Sequence, residues 1–371
     1  MLERPTPSTA LNPQPLGDAV PEISIVIPAR NEEVNIATCL QSLCAQQGVA
    51  FEIIVVDDDS SDRTAEIAKR FPGVTVISAI RESKLAAGNR ATGKNNAVIQ
   101  GVSRVRANWL LFTDADTIHL PQSLRRAINE AQANKADLLS YSPEQTVVTF
   151  TERAVMPVIF SELAAQYPLR QIRGQNSETV AANGQYILVS RTAYEAVGGH
   201  AAVAVEILED VALATRFRNA GFRVCFRYGG DVVRTRMYRN WQQLREGWTK
   251  NLALLFPSPI QTSLRSLLLW SLPWSSLIFA SSGIFAKPPL RLIAAALWLP
   301  AYRRIRTSHF SWINSLIGLV FGPPIFAYLL LRSSKAHRQG EIMWKGRAYA
   351  GNQLDRNGGR SAIKRELRAE N

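Results

Sequence analysis

Short β-rich runs that close on polar or acidic residues, separated by helix-length amphipathic stretches, narrow most sharply what this chain can fold into. ISIVIPA (residues 23–29), FEIIVVDD (51–58), GVTVIS (73–78), NWLLFTDAD (108–116) and ADLLSYS (136–142) are rich in apolar and β-branched residues. Between them, EEVNIATCLQSLCAQ and DRTAEIAKRF repeat apolar residues at three- and four-residue spacing. Alternation of this kind predicts an α/β fold, a mostly parallel sheet with helices on both faces. Ligands of such sheets bind beyond the carboxyl ends of the strands. The acidic clusters fall at those ends.

Charge separates the chain into two parts. Residues 1–255 hold 27 basic and 26 acidic side chains, and residues 256–371 hold 16 and 4, so nearly all of the net +13 belongs to the C-terminal third. That third also carries two long runs without Asp, Glu, Lys or Arg, 21 residues from Ser266 to Ala286 and 25 from Thr307 to Leu331. Each is long enough to cross the ~30 Å hydrocarbon layer at about 1.5 Å per residue. Basicity beside apolar runs fits a membrane bilayer with anionic lipid and not nucleic acid. The shorter apolar segment from Pro288 to Tyr302 contains Arg291 and predicts either a further span or an interfacial helix, for two or three spans in all. Three cysteines, Cys39, Cys44 and Cys225, build neither a disulfide framework nor a metal-ligand spacing. The expected organisation is a disordered tail over 1–20, a catalytic domain over 21–255, a membrane-associated or transmembrane region over 256–332 and a basic tail over 333–371.

Five places carry candidate chemistry. PARNEE (28–33) ends the first strand, and Asp57, Asp58 and Asp59 end the second. Adjacent carboxylates stay ionised only beside cations or hydrogen-bond donors, which a nucleoside supplies. Ser60 or Ser61 is expected to cap the helix that follows. Gly93 and Lys94 open a helix, an arrangement that favours an anion such as a diphosphate. Asp114 and Asp116 leave the fourth strand as Asp-Ala-Asp, hard oxygen donors suited to Mg²⁺ or Mn²⁺ held jointly with phosphates. Glu209 and Asp210 begin an amphipathic helix closed by Gly221; they complement the helix dipole, or Asp210 serves as a general base.

IVIPARNEE, VVDDDSSDRT, TDADT, GQYILVSRTAYEAVGGH, ILEDVALATRFRNAG and LREGWTKN, in this order, resemble a family-2-type inverting glycosyltransferase with the GT-A fold, over roughly residues 23–256. WKGRAY (344–349) is similar to the tail motif of membrane-bound members that glycosylate lipids. Within the family, the GWTKN ending and the C-terminal apolar segments resemble bacterial carotenoid and related polyisoprenoid or hopanoid glycosyltransferases.

The resemblance implies a nucleotide-sugar donor, a membrane lipid acceptor and a divalent cation. Pro28, Ala29, Glu32, Asp57 and Asp58 would then surround the nucleoside, Asp114 would meet the ribose or diphosphate, and Asp116 the metal. Asp210 would be the catalytic base, with Gly184, Gln185, Glu209 and Trp248 on the acceptor side. Arg245 or Lys250 would support the leaving diphosphate. Processive members carry Gln-x-x-Arg-Trp where this chain has Gly247 before Trp248, which implies one transfer and not a polymer. Nucleotide sugars are cytosolic, so the expected location is a multi-pass cell-membrane protein whose catalytic domain faces the cytoplasm. A nucleotidyltransferase would instead place a Gly-rich, basic loop where PARNEE stands, and a non-catalytic scaffold would not need the acidic motifs.

Overall fold

The computed structural model describes residues 20–80, 93–168, 180–281, 288–345 and 347–349. Most of the expected N-terminal tail, the approach to Gly93 (residues 81–92) and the last residues of the basic tail lie outside them. The chain divides into two compact units, Met1–Glu144 with Ile172–Thr235, and Gln145–Gln171 with Arg236–Asn371.

In the first unit the order is β1 (Ile23–Ala29), α1 (Ile36–Cys44), β2 (Phe51–Asp57), α2 (Thr64–Lys69), β3 (Val74–Ser78), α3 (Gly93–Val102), β4 (Trp109–Thr113), β5 (Thr117–His119), α4 (Ser123–Ala133) and β6 (Leu138–Ser142). After the two-residue β7 (Glu144–Gln145) the chain leaves this unit. It returns for β8 (Tyr186–Ser190), α6 (Arg191–Ala196), a 3₁₀ turn (Gly199–Val203), α7 (Glu209–Asn219), β9 (Val224–Tyr228) and β10 (Val233–Thr235). All five expected strands are present. The seven-stranded sheet runs β3-β2-β1-β4-β8-β6-β9. Every pairing in it is parallel except those that β8 makes with β4 and β6.

β1 is central because both of its faces are apolar: Ile23, Ile25 and Ile27 enter one core layer and Val26 the other, all fully buried. The first layer takes Leu40 and Leu43 of α1 with Leu124 and Ile128 of α4; the second takes Ala97 and Val98 of α3 with Leu213 and Phe217 of α7. Helices therefore cover both faces, as the sequence pattern predicts.

The second unit contains α5 (Phe150–Gln166), α8 (Trp241–Leu255), α9 (Pro259–Ser281), α10 (Pro288–Arg306), α11 (Trp312–Gln339) and a hairpin of β11 (Ile342–Trp344) and β12 (Arg347–Tyr349). Val155, Met156 and Ile159 of α5 pack with Trp248 and Leu252 of α8 and with Phe326, Leu329 and Leu330 of α11. Ser333 reinforces this packing: its Oγ accepts from Ala253 N at 2.9 Å and donates to Thr249 O at 2.6 Å. Gly247 is explained here. A Cβ on it would lie 2.4 Å from the Tyr238 ring, so the aromatic ring fills the space that a larger residue before Trp248 would take.

Among the described residues one helix, α11, is long and apolar enough to cross a membrane, with a mean hydropathy of 1.7 over its best window, half of which is buried inside the unit. The expected two or three spans thus narrow to one helix by that measure. Gln261, Thr262 and Arg265 lower the apolarity of α9, and Arg291 and the closing Arg303, Arg304 and Arg306 that of α10.

Candidate active site

The strand order reverses between β1 and β4, since the chain builds outward through β2 and β3 and then crosses back to β4. The crevice at such a switch point is where open α/β sheets bind ligands. Ala29 pairs with Asp57 across β1 and β2, which brings Pro28, Ala29, Asp57 and Asp58 to one edge of it. Asp58 N donates to Ala29 O at 2.8 Å.

Two loops are laced together there. Arg30 Nη1 donates to Asp58 O at 2.7 Å, Glu32 N to Thr64 Oγ1 at 2.7 Å and Asn31 N to Ser60 Oγ at 3.0 Å. Ser61 N returns to Asn31 Oδ1 at 2.8 Å. The expected cap by Ser60 or Ser61 is therefore corrected. Both serines serve Asn31, whose φ of +52° turns it toward them, and Asp62 Oδ1 accepts from Thr64 N at 3.0 Å in their place. Asp57 is 8% exposed, and its Oδ1 has no hydrogen-bond partner among the described residues. A buried carboxylate oxygen of this kind is suited to a donor from a bound ligand.

Across the switch point, β8 lies antiparallel to β4 with Thr113 opposite Tyr186, which sets Gly184 and Gln185 beside Asp114. Thr113 Oγ1 donates to Gln185 O at 2.8 Å, and Thr117 Oγ1 to Asp114 O at 2.7 Å. Behind them His119 is buried against both threonines, and burial pushes it down to about 3, so it stays neutral. Thr235 Oγ1 holds Asp116 O at 3.2 Å. The Asp-Ala-Asp turn is thus fixed through its backbone, leaving its carboxylates to set the chemistry.

Lys94 joins distant parts of the chain. Its Nζ lies 2.9 Å from both Asp114 Oδ1 and Glu209 Oε1. Burial works against the ammonium, but Asp114 and Glu209 outweigh it and hold Lys94 well above the usual lysine range. Asn95, next to it, is fully buried and donates through Nδ2 to Val203 O and Ala204 O, both at 3.1 Å, which anchors α3 to the 3₁₀ turn. The first turn of α3 is therefore a strap between β4 and α7.

Asp210 lines a pocket to which Pro28, Val98, Phe112 and Ile187 contribute apolar groups and Lys94, Asp114, Gly184, His200 and Glu209 polar ones. Its Oδ2 accepts from Gly184 N and its Oδ1 from Val211 N, each at 2.8 Å. Burial and then the charge of Glu209 push this carboxyl up to about 6, against the opposing pull of Lys94 and the two backbone donors. It is thus a carboxylate that takes and releases a proton near neutral pH. A side chain at residue 184 would crowd the bridge, because a Cβ there would start 3.0 Å from Lys94 Nζ.

Arg245, Trp248 and Lys250 lie on α8 in the second unit. Trp248 is 3% exposed and donates from Nε1 to Met156 Sδ at 3.4 Å, so it is a core residue of that unit. The Lys250 carbonyl accepts from His337 Nε2 at 2.8 Å. Two features escaped the sequence reading, the Lys94–Glu209 bridge and His200. The first spans 115 positions and has no local signature. The second has one local signal, a histidine directly after the paired glycines Gly198 and Gly199.

Comparison with known proteins gives likenesses to glycosyltransferases. Residues 24–198 match the family model described as glycosyl transferase family 2. The chain is 29% identical over 349 residues to 4,4'-diaponeurosporenoate glycosyltransferase of Staphylococcus aureus strain MRSA252, covering 88% of each, and 28% identical to its counterpart in strain USA300 over the same shares. A solved structure, mannosyltransferase PcManGT from Pyrobaculum calidifontis in complex with GDP-Man and Mn²⁺, matches with a TM-score of 0.51 at 16% identity, over 86% of this chain and 87% of that one. The fold is GT-A-like.

Proposed function

We propose that this chain, whose residues 24–198 match the glycosyl transferase family 2 model, is a glycosyltransferase that carries out inverting transfer of a single sugar from a nucleotide-sugar donor to a hydroxyl or carboxyl of a membrane polyisoprenoid, of the carotenoid class. The observation that carries the reading is Asp210, a carboxyl near neutrality held by two backbone donors on the wall of the switch-point pocket. Asp57 and Asp58 at the β1–β2 edge suit the nucleoside. The acceptor oxygen gives its proton to Asp210 as it attacks the anomeric carbon, the bond to the diphosphate breaks on the opposite face, and configuration inverts.

The leaving diphosphate needs positive charge, and Lys94 is already shared between two carboxylates. A divalent ion, when bound, supplies that charge to the departing oxygens. The donors present fit it. Asp114 and Asp116 offer oxygen only, and Mg²⁺-type sites take one or two carboxylates plus substrate phosphates.

The acceptor class is supported by the relative named for a diapocarotenoid acid and by the surface of the second unit. Ile260, Leu264, Leu268 and Leu272 repeat every four residues along α9 and are exposed, Leu264 by 63% and Leu268 by 61%. Exposed apolar stripes mark interaction surfaces, and with α11 this one suits a bilayer. The protein then works at the cell membrane with its catalytic unit on the cytoplasmic side, where nucleotide sugars are made.

The test is transfer by the purified protein in liposomes, given UDP- and GDP-hexoses and either carotenoid acids and alcohols or diacylglycerol. One added hexose on the polyisoprenoid is expected by mass spectrometry. Product on diacylglycerol alone overturns the acceptor class, and a ladder of hexoses overturns single transfer. Glu209→Gln gives a further check. It removes a charge that raises Asp210, so the acid limb of kcat/KM should move to lower pH, by on the order of one pH unit. An unmoved limb would assign it to another group.

A further inference from the structure

His200 stands in the pocket wall and takes no part in the proton transfer derived above. It is 3% exposed, and its ring is fixed on two sides, edge-on to Phe112 at 4.6 Å between centroids and beside Tyr194 at 5.7 Å. Tyr194 Oη accepts from the His200 backbone N–H at 2.9 Å and lies 2.9 Å from His200 Nδ1. Burial raises the Tyr194 phenol, so it keeps its proton. With one lone pair engaged by the backbone donor, that proton points to Nδ1, which makes Nδ1 an acceptor and places the ring proton on Nε2. Burial also pushes His200 down to about 4, so at neutral pH the ring is uncharged.

Gly199, at φ +51°, allows this arrangement, because any Cβ there would strike the Tyr194 ring. His200, neutral and held in one tautomer, thus lines the pocket together with Glu209 and Asp210. A diphosphate is matched by cations. A sugar hydroxyl, which both accepts and donates, is matched by an N–H and a carboxylate side by side.

We propose that His200 reads one hydroxyl of the transferred sugar, donating to it from Nε2 while a neighbouring carboxylate of the wall accepts from it, and that Tyr194 is the positioning residue that fixes the tautomer. The assignment rests on the donor-sugar reading of this pocket and adds the group that distinguishes one hexose from another.

The experiment compares wild type, His200→Leu, His200→Gln and Tyr194→Phe in kcat/KM for the nucleotide hexose and its monodeoxy analogues, together with calorimetric affinity for the nucleoside diphosphate alone. Wild type should lose about 10- to 100-fold on one deoxy analogue. His200→Leu should lose a similar factor on the intact hexose, treat that analogue and the hexose alike, and bind nucleoside diphosphate within about twofold of wild type. His200→Gln, which keeps an N–H near the Nε2 position, should regain part of the discrimination. Tyr194→Phe should weaken it at the same sugar position, and carries the test if His200→Leu does not fold. Full discrimination in both His200→Leu and Tyr194→Phe, or equal losses in transfer and in nucleoside diphosphate binding, overturns the proposal. A wild type that transfers no hexose from any nucleotide donor overturns the donor-sugar reading itself, and this assignment with it.

Discussion

Asp210→Asn is expected to lower kcat by about 10²-fold or more while leaving nucleoside diphosphate affinity within about twofold. An amide keeps the shape of the side chain and one acceptor for the Gly184 or Val211 N–H, yet cannot take up the proton of an attacking hydroxyl. The pH dependence follows from the raised carboxyl. Below about 6 Asp210 is protonated and cannot act as a base, so wild-type kcat/KM should fall about tenfold per pH unit on the acid side and level off above it. The variant should lose this limb along with the rate. Turnover near the wild-type value, or an unchanged acid limb, would show that another group removes the proton.

Chelation of divalent ions, or Asp116→Ala, is expected to lower transfer by about 10²-fold or more and to weaken nucleoside diphosphate binding in calorimetry. The charge inventory of the pocket is the reason. Its lining brings Asp114, Glu209 and Asp210 together against Lys94, so an incoming diphosphate adds negative charge to a wall that is already negative. A cation that arrives with the diphosphate would resolve this, and Asp116, whose carbonyl accepts from Thr235 Oγ1 at 3.2 Å, is the carboxylate proposed to meet it. Undiminished activity in excess chelator would transfer the role to cationic side chains.

Much of the sheet was legible because β1, β2, β3, β4 and β6 each carry an apolar run ending in polar residues, a local signal. β8 was not read as a strand of this sheet. YILVS is as apolar as the others, but its direction depends on the excursion of the chain between 145 and 171, which no local pattern records. Asp57, Asp58, Asp114, Glu209 and Asp210 were legible as candidates, since carboxylates at strand and helix ends are conspicuous. Their grouping was not, because the Lys94 bridge and the Gly184 N–H to Asp210 are set by strand order. Trp248 illustrates the opposite case. The family resemblance implies an acceptor-side group there, whereas the ring is enclosed by Met156, Phe160 and Tyr238.

The placement of α5 bears on how this protein can be made and cut. The helix is synthesised before β8 and α7, yet the partners of Val155, Met156 and Ile159 lie on α8 and α11, about 90 and 170 positions later. On the ribosome its apolar side therefore waits, bare, while the whole remainder of the catalytic unit is translated, a period in which a chaperone or a membrane surface has to shelter it. The same order defeats simple dissection. A fragment ending at Thr235 retains all seven strands of the main sheet and still carries α5 with nothing to cover it, so no single cut in this chain releases a self-sufficient catalytic piece.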